Sequence, residues 1–331
     1  MEHLRHHGGG NTHDFGAQRP NHGRYQRQHT HRCRADRFAI QQGRGQVQKV
    51  DHRIAVTLAE LVCDLPRAPG VYVFHGDGKL PLYIGKSVDI RSRVQSHLRN
   101  PDEARMLAQT RRIEAIETAG EIGALLLESH LIKTQSPLYN QRLRRIKKLC
   151  SLQLVRKNDG WQTAVVDEQT VAFGQTPQLY GLFSSRHAVR QKLQSLAQQH
   201  RLCLQMLGLE KTNPRGCFGW QIRQCAGACT GHEPRTAHDD RLLQALEDIQ
   251  IHTWPFPGAV HLVEQRGNWV QKHLINHWAY QGTWCSQTGT WLERRKGFAG
   301  FDADSYHILV KPVLLQTLAI EPAGDDQQTT S

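Results

Sequence analysis

A single carboxylate on the apolar side of a predicted helix is the residue whose type and position most suggest chemistry. In GEIGALLLESHLIKTQ (residues 120–135), Glu128 lies three residues after Leu125 and four before Ile132, so helical geometry places it on the apolar stripe. A buried carboxylate is costly unless it is paired with a cation or binds a metal ion. Glu128 is therefore a candidate metal ligand. The alternative is a partly exposed glutamate at the edge of the stripe.

Two tyrosines flank a predicted turn in the stretch GVYVFHGDGKLPLYIGK, residues 70–86. Short apolar runs on either side of Asp77-Gly78 predict a β-hairpin, since Asp-Gly is typical of two-residue hairpin turns. With that turn, Tyr72 lies opposite Tyr83 and both phenols share one face. Pro81 disfavours this register, because proline cannot donate to the strand ladder. Two half-buried strand tyrosines without a chemical role would show the same pattern.

Cationic side chains are predicted beside the hairpin. Apolar residues recur at every fourth position from residue 90 and predict a helix, on which Arg93 and His97 lie four residues apart and project together. After the helix-stopping Pro137 and Asn140, the stretch QRLRRIKK (141–148) is either ordinary solvated surface or a phosphate-binding strip. The cations of this basic strip are Arg142, Arg144, Arg145, Lys147 and Lys148.

Four cysteines follow one another in the middle of the chain: Cys203, Cys217, Cys225 and Cys229. Their intervals differ from the paired CxxC knuckles of an ordinary zinc ribbon. Four thiolates are compatible with a tetrahedral zinc ion or with an iron–sulfur cluster. Buried, inert thiols are the third alternative.

Apolar periodicity predicts the elements that must position these residues. Residues 112–118 alternate and predict a strand, and the following Thr118-Ala119-Gly120-Glu121 has the capping-box pattern that begins a helix. Further helices are predicted between residues 185 and 200 and over His232–Ile251. Several short strands are predicted within residues 259–315, from GAVHLVEQ, WVQKHLINHWAY and YHILVKPVLL. The five tryptophans between residues 254 and 291 are expected to fill a small core rather than to stack on unpaired bases.

Charge indicates the class of partner. The chain of 331 residues has a formal net charge of +12, which favours a polyanion, with nucleic acid first. Residues 1–50 hold nine Lys and Arg against three acidic residues, with little apolar periodicity, so we expect a disordered basic tail there. No apolar run approaches the roughly 18–20 residues of a membrane span, and no signal peptide is recognisable. We therefore expect a soluble, cytoplasmic protein with no membrane partner.

Taken in order, these motifs resemble the GIY-YIG nuclease domain, most closely that of the UvrC family of DNA-repair excinucleases. The matching residues, over about residues 65–145, are Gly70-Val71-Tyr72, Tyr83-Ile84-Gly85-Lys86, Arg93, Glu128 and Asn140. The resemblance implies an α+β chain. It would have the basic tail (1–50), a GIY-YIG α/β nuclease domain (60–148), a cysteine-rich helical middle region (149–250) and a small, Trp-rich α+β C-terminal region (251–331).

The resemblance also implies a metal-dependent hydrolysis of DNA. One divalent cation, Mg²⁺ or Mn²⁺, would be held by Glu128 and would stabilise charge on the phosphate and the departing 3′ oxygen. Tyr83 would be the general base, and Tyr72 would order the attacking water. Lys86, together with the metal, would favour the phenolate of Tyr83. Arg93 would bind the scissile phosphate.

Two further residues of the motif have less direct roles. Asn140 would fix the local structure near the metal-binding helix. His97 stands where UvrC-type domains usually have a tyrosine, and its imidazole is the alternative general base.

The resemblance extends to the cysteines and to the expected partners. In the UvrC family the cysteine-rich region holds a 4Fe-4S cluster, which favours a cluster over zinc here. The later domains of full-length UvrC are not recognisable. This predicts a short UvrC homologue, a monomer that makes only the 3′ incision in damaged double-stranded DNA bound by UvrB. The alternatives are a free-standing GIY-YIG enzyme of the homing or restriction type and a non-catalytic, DNA-binding iron–sulfur protein.

Overall fold

The computed structural model describes residues 61–140, 148–292 and 300–324. The predicted tail (1–50) and four cations of the basic strip, Arg142, Arg144, Arg145 and Lys147, lie outside the described residues. Within the described ranges the chain forms three antiparallel sheets with helices packed against them. The predicted α+β class is confirmed. No helix in this part of the chain is both long and apolar enough to cross a bilayer.

The first sheet contains β1 (Gly70–His75), β2 (Pro81–Ser87) and β3 (Arg112–Glu117) in the order β2-β1-β3. Its helices are α1 (Ile90–Arg99), α2 (Ala104–Gln109) and α3 (Glu121–Gln135). Alternate residues of a strand point to opposite faces. The valines of β1 accordingly pack with apolar residues of α3, whereas Tyr72 packs with apolar residues of α1. The sheet is covered on both faces.

The hairpin register differs from the predicted one. Tyr72 pairs with Gly85 rather than with Tyr83, because the loop spans residues 76–80 instead of two residues. Pro81, which has no N–H to donate, begins β2. Strand pairing therefore ends before the chain could close with a two-residue turn. The predicted register is therefore wrong by two residues. Since two is an even number, both tyrosines still lie on the same face.

The second sheet belongs to the middle of the chain. It contains β4 (Cys150–Lys157), β5 (Gly160–Asp167), β6 (Leu179–Phe183) and β7 (Gln250–Ile251), in the order β5-β4-β6-β7. Helices α4 (Arg186–Gln199), α5 (Phe218–Gln221) and α6 (Arg235–Leu246) follow the third strand of this set. The helix predicted over His232–Ile251 is shorter than expected, because its last residues form a 3₁₀ turn and β7.

The third sheet has the order β11-β10-β9-β8-β12. Its strands are β8 (Val260–Arg266), β9 (Trp269–Asn276), β10 (Ala279–Cys285), β11 (Thr290–Leu292) and β12 (Ala319–Pro322). WVQKHLINHWAY is two strands, since His277 and Trp278 both have positive φ and turn the chain. Of the five tryptophans, Trp254, Trp269 and Trp278 are buried, and the other two are half-buried.

The last predicted strand is a helix. YHILVKPVLL lies in α7 (Ala303–Leu314), so the expectation of a strand there is wrong. Asp302 caps the helix by accepting a hydrogen bond from the backbone N–H of Asp304. The buried residues Tyr306, Leu309 and Val313 recur every three to four positions, which is the helical period.

Helix α3 packs between the first and third sheets. Leu127, Leu131 and Ile132 contact the first sheet, whereas Leu126 belongs to the core of the third. The capping box predicted at Thr118 is absent: Gly120 occupies the N-cap position without a side-chain cap. The backbone N–H groups of residues 122 and 123 donate to Glu264 of β8 instead. The third sheet therefore supplies the cap.

Candidate active site

The two phenols lie side by side on the first sheet. The ring centroids of Tyr72 and Tyr83 are 6.2 Å apart. Tyr72 is 1% exposed, whereas Tyr83 is half-buried. A Cβ atom at Gly85, the residue opposite Tyr72, would lie 2.5 Å from Cζ of Tyr72 and 2.8 Å from Cε1 of Tyr83. Glycine at this position is therefore required for the two rings to lie across β2.

Helix α1 places a cation and an imidazole against the phenols, as predicted from their spacing. Nε2 of His97 lies 2.7 Å from the hydroxyl of Tyr72, and Nδ1 of His97 bonds to the carboxylate of Glu103. His97 is 3% exposed. The guanidinium of Arg93 is exposed, and its proximity to Tyr72 opposes the rise that burial gives to the pKa of that phenol.

Glu128 lies at the end of β2, on the first-sheet side of α3. Its Oε1 accepts a hydrogen bond from the backbone N–H of Lys86 at 3.1 Å. The side chain is half-buried, between the two alternatives expected from the sequence. Burial raises the pKa of Glu128, and the N–H and charge of Lys86 oppose that rise. A carboxylate with a raised pKa is stabilised in its charged form by an additional cation.

The pKa of Tyr83 also indicates that the site requires an additional cation. Burial raises the pKa of Tyr83, the nearby charge of Glu128 raises it further, and Arg93 lowers it. Forming a phenolate between a hydrophobic sheet and a carboxylate is therefore unfavourable unless positive charge is added. A carboxylate oxygen is the kind of ligand that suits a hard divalent cation such as Mg²⁺, which keeps several of its waters. The side chains present fit such an ion.

The remaining motif residues lie at the periphery of this cluster. Nζ of Lys86 lies 2.6 Å from a carboxylate oxygen of Glu121, on the exposed side of α3. Asn140 pairs with the main chain of Ile84: its Oδ1 accepts from the N–H at 2.9 Å and its Nδ2 donates to the C=O at 2.8 Å. Asn140 thus holds β2 in place beside the phenols. Lys148, the described cation of the basic strip, is exposed.

Sequence reasoning missed two glutamates around the site. Glu103 contacts His97 from a 3₁₀ turn that follows α1, and no periodicity links the two residues. Glu264 caps α3 from a strand more than a hundred residues away in sequence. The one available signal for Glu264 was its place on the same strand face as Val260 and Leu262, since a buried carboxylate requires partners.

The four cysteines form a second candidate site. The sulfur atoms of Cys203, Cys217, Cys225 and Cys229 all lie within 4.8 Å of one another. Backbone N–H groups donate to three of these sulfurs, at 3.3 Å each. Burial, together with the neighbouring cysteines, raises the pKa of Cys225 and Cys229 to about 12. Four converging thiols are a donor set for a metal ion, and a bound metal would favour the thiolate form of Cys225 and Cys229.

The sulfur spacing distinguishes between metal centres. Thiolates around one tetrahedral zinc ion are about 3.8 Å apart, given a Zn–S bond of about 2.3 Å. The four sulfur atoms here are at most 4.8 Å apart, which fits four ligands around one zinc ion. In a four-iron cluster each thiolate binds a different iron, so the four sulfurs would have to move apart.

Comparisons with known proteins agree with this arrangement. Three family models match the chain: a UvrC-like GIY-YIG domain over residues 68–141, a UvrC/Cho excinuclease middle domain over residues 139–248, and an excinuclease Cho C-terminal domain over residues 259–327. The fold and the site thus define a GIY-YIG nuclease of the UvrC type.

Curated relatives identify the family within this class. Excinuclease Cho of Escherichia coli K12 is 49% identical over 276 residues, which cover 82% of this chain and 92% of that protein. The UvrABC system protein C of Neisseria gonorrhoeae is 32% identical over 186 residues, covering 55% of this chain and 30% of that protein. The chain belongs to the Cho family of excinucleases. The predicted enzyme class, a metal-dependent endonuclease of the excinuclease type, is confirmed.

A solved structure also matches the first region. The GIY-YIG N-terminal endonuclease domain of UvrC from Thermotoga maritima, bound to its catalytic magnesium ion, is 33% identical, with a TM-score of 0.24. The match covers 25% of this chain and 96% of that one.

Proposed function

We propose that this protein acts in nucleotide excision repair and hydrolyses a phosphodiester on the 3′ side of a lesion, in damaged double-stranded DNA bound by UvrB. Membership of the Cho family supports excision of DNA. The observation that carries the hydrolytic part is the convergence of Tyr72, Tyr83, Arg93 and His97 at one face, within the electrostatic reach of Glu128.

Glu128 would hold Mg²⁺ or Mn²⁺ at this site. When bound, the ion supplies positive charge that stabilises the phosphate and the departing 3′ oxygen. Arg93, which is exposed and lies against the phenols, binds a non-bridging oxygen of the same phosphate. Asn140 keeps β2, and with it the backbone N–H of Lys86, in the position that orients Glu128.

Tyr83 is the best candidate for the group that takes the proton of water. It is half-buried, whereas Tyr72 and His97 are 1% and 3% exposed, so Tyr83 can reach a water molecule most directly. Tyr72 orients Tyr83 and the water from behind. Lys86 pairs with Glu121, so in this arrangement Arg93 is the side-chain cation that favours the phenolate of Tyr83.

The test uses a duplex with one lesion and an end label. Wild-type protein with UvrB and Mg²⁺ should give a single cut 3′ to the lesion, and omission of UvrB or of Mg²⁺ should remove it. A Glu128→Ala variant should bind the substrate and leave it intact. Sequence-specific cutting of undamaged DNA without UvrB would instead support a homing or restriction enzyme. Unchanged incision by the variant would remove Glu128 from the mechanism.

The four cysteines are proposed to hold a structural or sensing metal centre, with no part in hydrolysis. Resemblance to the UvrC family favours a 4Fe-4S cluster, whereas the sulfur spacing favours zinc. An absorption spectrum and metal analysis of anaerobically purified protein separate the two, since a cluster absorbs visible light and zinc does not. Replacement of Cys217 by serine should release the metal from either centre.

A further inference from the structure

Three side chains, those of Tyr72, His97 and Glu103, are connected by hydrogen bonds. The hydroxyl of Tyr72 meets Nε2 of His97 at 2.7 Å, and Nδ1 of His97 meets Oε2 of Glu103. We propose that Glu103 is a positioning residue of this nuclease: it holds His97 in the tautomer and orientation that accept a proton from Tyr72. The inference rests on the proposed hydrolytic function, and it adds to the active site a carboxylate that the GIY-YIG motif does not include.

The surroundings of Glu103 fix its position. It ends the 3₁₀ turn Pro101–Glu103, which follows α1 directly. Its other oxygen, Oε1, accepts a hydrogen bond at 3.2 Å from Nδ2 of Asn100, whose Oδ1 in turn accepts from the N–H of Asp102. Both carboxylate oxygens are thus engaged. The side chain of Glu103 is 28% exposed, so the carboxylate remains partly solvated.

The partners of His97 determine its tautomer. A carboxylate can only accept, so Nδ1 carries a proton, and in the neutral imidazole this leaves Nε2 bare. Bare Nε2 then accepts the O–H of Tyr72. The imidazole cannot turn away, because its ring lies against those of Phe74 and Tyr83 at centroid distances of 5.5 and 5.4 Å. A carboxylate that orients an imidazole in this manner also stabilises the imidazolium that forms when a proton arrives.

Tyr72, His97 and Glu103 provide a path along which Tyr83 can transfer its proton. The rings of Tyr83 and Tyr72 lie side by side, with centroids 6.2 Å apart. As the O–H bond of Tyr83 breaks, its proton passes to the oxygen of Tyr72 while the proton of Tyr72 passes to Nε2 of His97. This leaves a phenolate at Tyr83 and an imidazolium at His97, whose charge Glu103 balances.

Hydrolysis then restores the starting state. The phenolate of Tyr83 takes a proton from water as the water oxygen bonds to phosphorus and the bond from phosphorus to the 3′ oxygen breaks. The departing 3′ oxygen takes a proton from solvent and becomes a hydroxyl, and His97 releases its extra proton to solvent through Tyr72 and Tyr83. No oxidant or further reactant is needed. A tyrosine at position 97 could not hold a positive charge, so Glu103 is useful only with histidine there.

A double-mutant cycle tests this dependence. Glu103→Gln keeps the shape of the side chain and removes its charge. We expect it to lower the single-turnover rate of incision by about 10- to 100-fold, with DNA binding unchanged. In a His97→Tyr background the same substitution should change the rate by less than about twofold, because the two residues act as a unit. Asp102→Asn, in the same turn, is the matched control and should match wild type.

The outcomes separate the possible failures. Equal losses from Glu103→Gln in both backgrounds would show a structural role for Glu103 and overturn the proposal. Absence of UvrB-dependent incision by the wild type would instead refute the proposed function. Should His97→Tyr be inactive, long-range ¹H–¹⁵N NMR of His97 provides a second test without DNA. We expect the Nδ1–H tautomer in wild type and its loss in Glu103→Ala, and an Nε2–H tautomer in wild type would overturn the proposal.

Discussion

The cap that β8 places on α3 leads to a sharp prediction about Glu264. This side chain is 6% exposed. Its Oε1 accepts from the N–H of Ile122 at 3.0 Å, and its Oε2 accepts from the N–H of Gly123 at 2.7 Å and faces Nε2 of His273 at 3.1 Å. A Cβ atom at Gly120 would lie 2.9 Å from Oε2, so the absence of a side chain at this N-cap position makes room for the carboxylate.

Glu264→Ala should be strongly destabilising. It leaves two backbone N–H groups at the start of a buried helix without their acceptor, which costs about 1–3 kcal/mol each. It also removes one of the two side-chain partners of His273, which is fully buried and keeps its contact with Thr283. The two N–H groups together give an expected loss of about 2–6 kcal/mol. This is a large part of the roughly 5–15 kcal/mol that stabilises a typical domain.

Urea denaturation followed by tryptophan fluorescence measures this loss. Glu321→Ala is the matched control: Glu321 lies on β12 of the same sheet and forms an exposed ion pair with Lys272, at 2.7 Å. Such surface pairs contribute about 0–1 kcal/mol. A loss in Glu264→Ala no larger than that in Glu321→Ala would refute the inference that the third sheet caps α3.

Three further predictions follow from the same contacts. Gly85→Ala should lower both the melting temperature and the incision rate, because overpacking costs about 1–3 kcal/mol and displaces the phenols. Gly78→Ala is the control: the space around Gly78 is open, so this variant should match wild type in both assays. Asn140→Ala should cost about 1–3 kcal/mol in urea denaturation, since it removes two hydrogen bonds to Ile84. Burial alone would raise the pKa of Glu264, but His273 and the two N–H groups lower this pKa overall. The stabilisation that charged Glu264 provides is therefore fully present above the unfolded pKa of about 4.3, and it is lost as the pH falls through the lower folded pKa. The stability difference between wild type and Glu264→Gln, measured by denaturation across pH 3–7, should accordingly shrink below about pH 4.

Local periodicity was sufficient to predict the elements that carry the site. The spacing of apolar residues predicted α1 and α3, and with them the shared side of Arg93 and His97 and the position of Glu128. The hairpin was predicted with the wrong loop, yet the two tyrosines share a face in both registers, because side-chain direction repeats every two residues.

Contacts between distant segments could not be predicted in this way. The cap at Thr118 was predicted from a local pattern, whereas Glu264 of another sheet takes that role. YHILVKPVLL is rich in residues that favour strands, and its burial against α3 and the third sheet makes it a helix. Glu103 follows a helix end, where no period relates it to His97. In each case the tertiary environment decided the outcome.

The most direct test of the central claim is a magnesium titration of 3′ incision on a UvrB-bound lesion duplex, comparing wild type with Glu128→Gln. The substitution keeps the size of the side chain and the acceptor for the N–H of Lys86, and it removes the charge that would hold the cation. We predict a saturable dependence on Mg²⁺ for wild type and a rate lower by at least about 100-fold for the variant at every Mg²⁺ concentration. An unchanged rate with the same Mg²⁺ midpoint would contradict the account, because the cation would then be bound elsewhere.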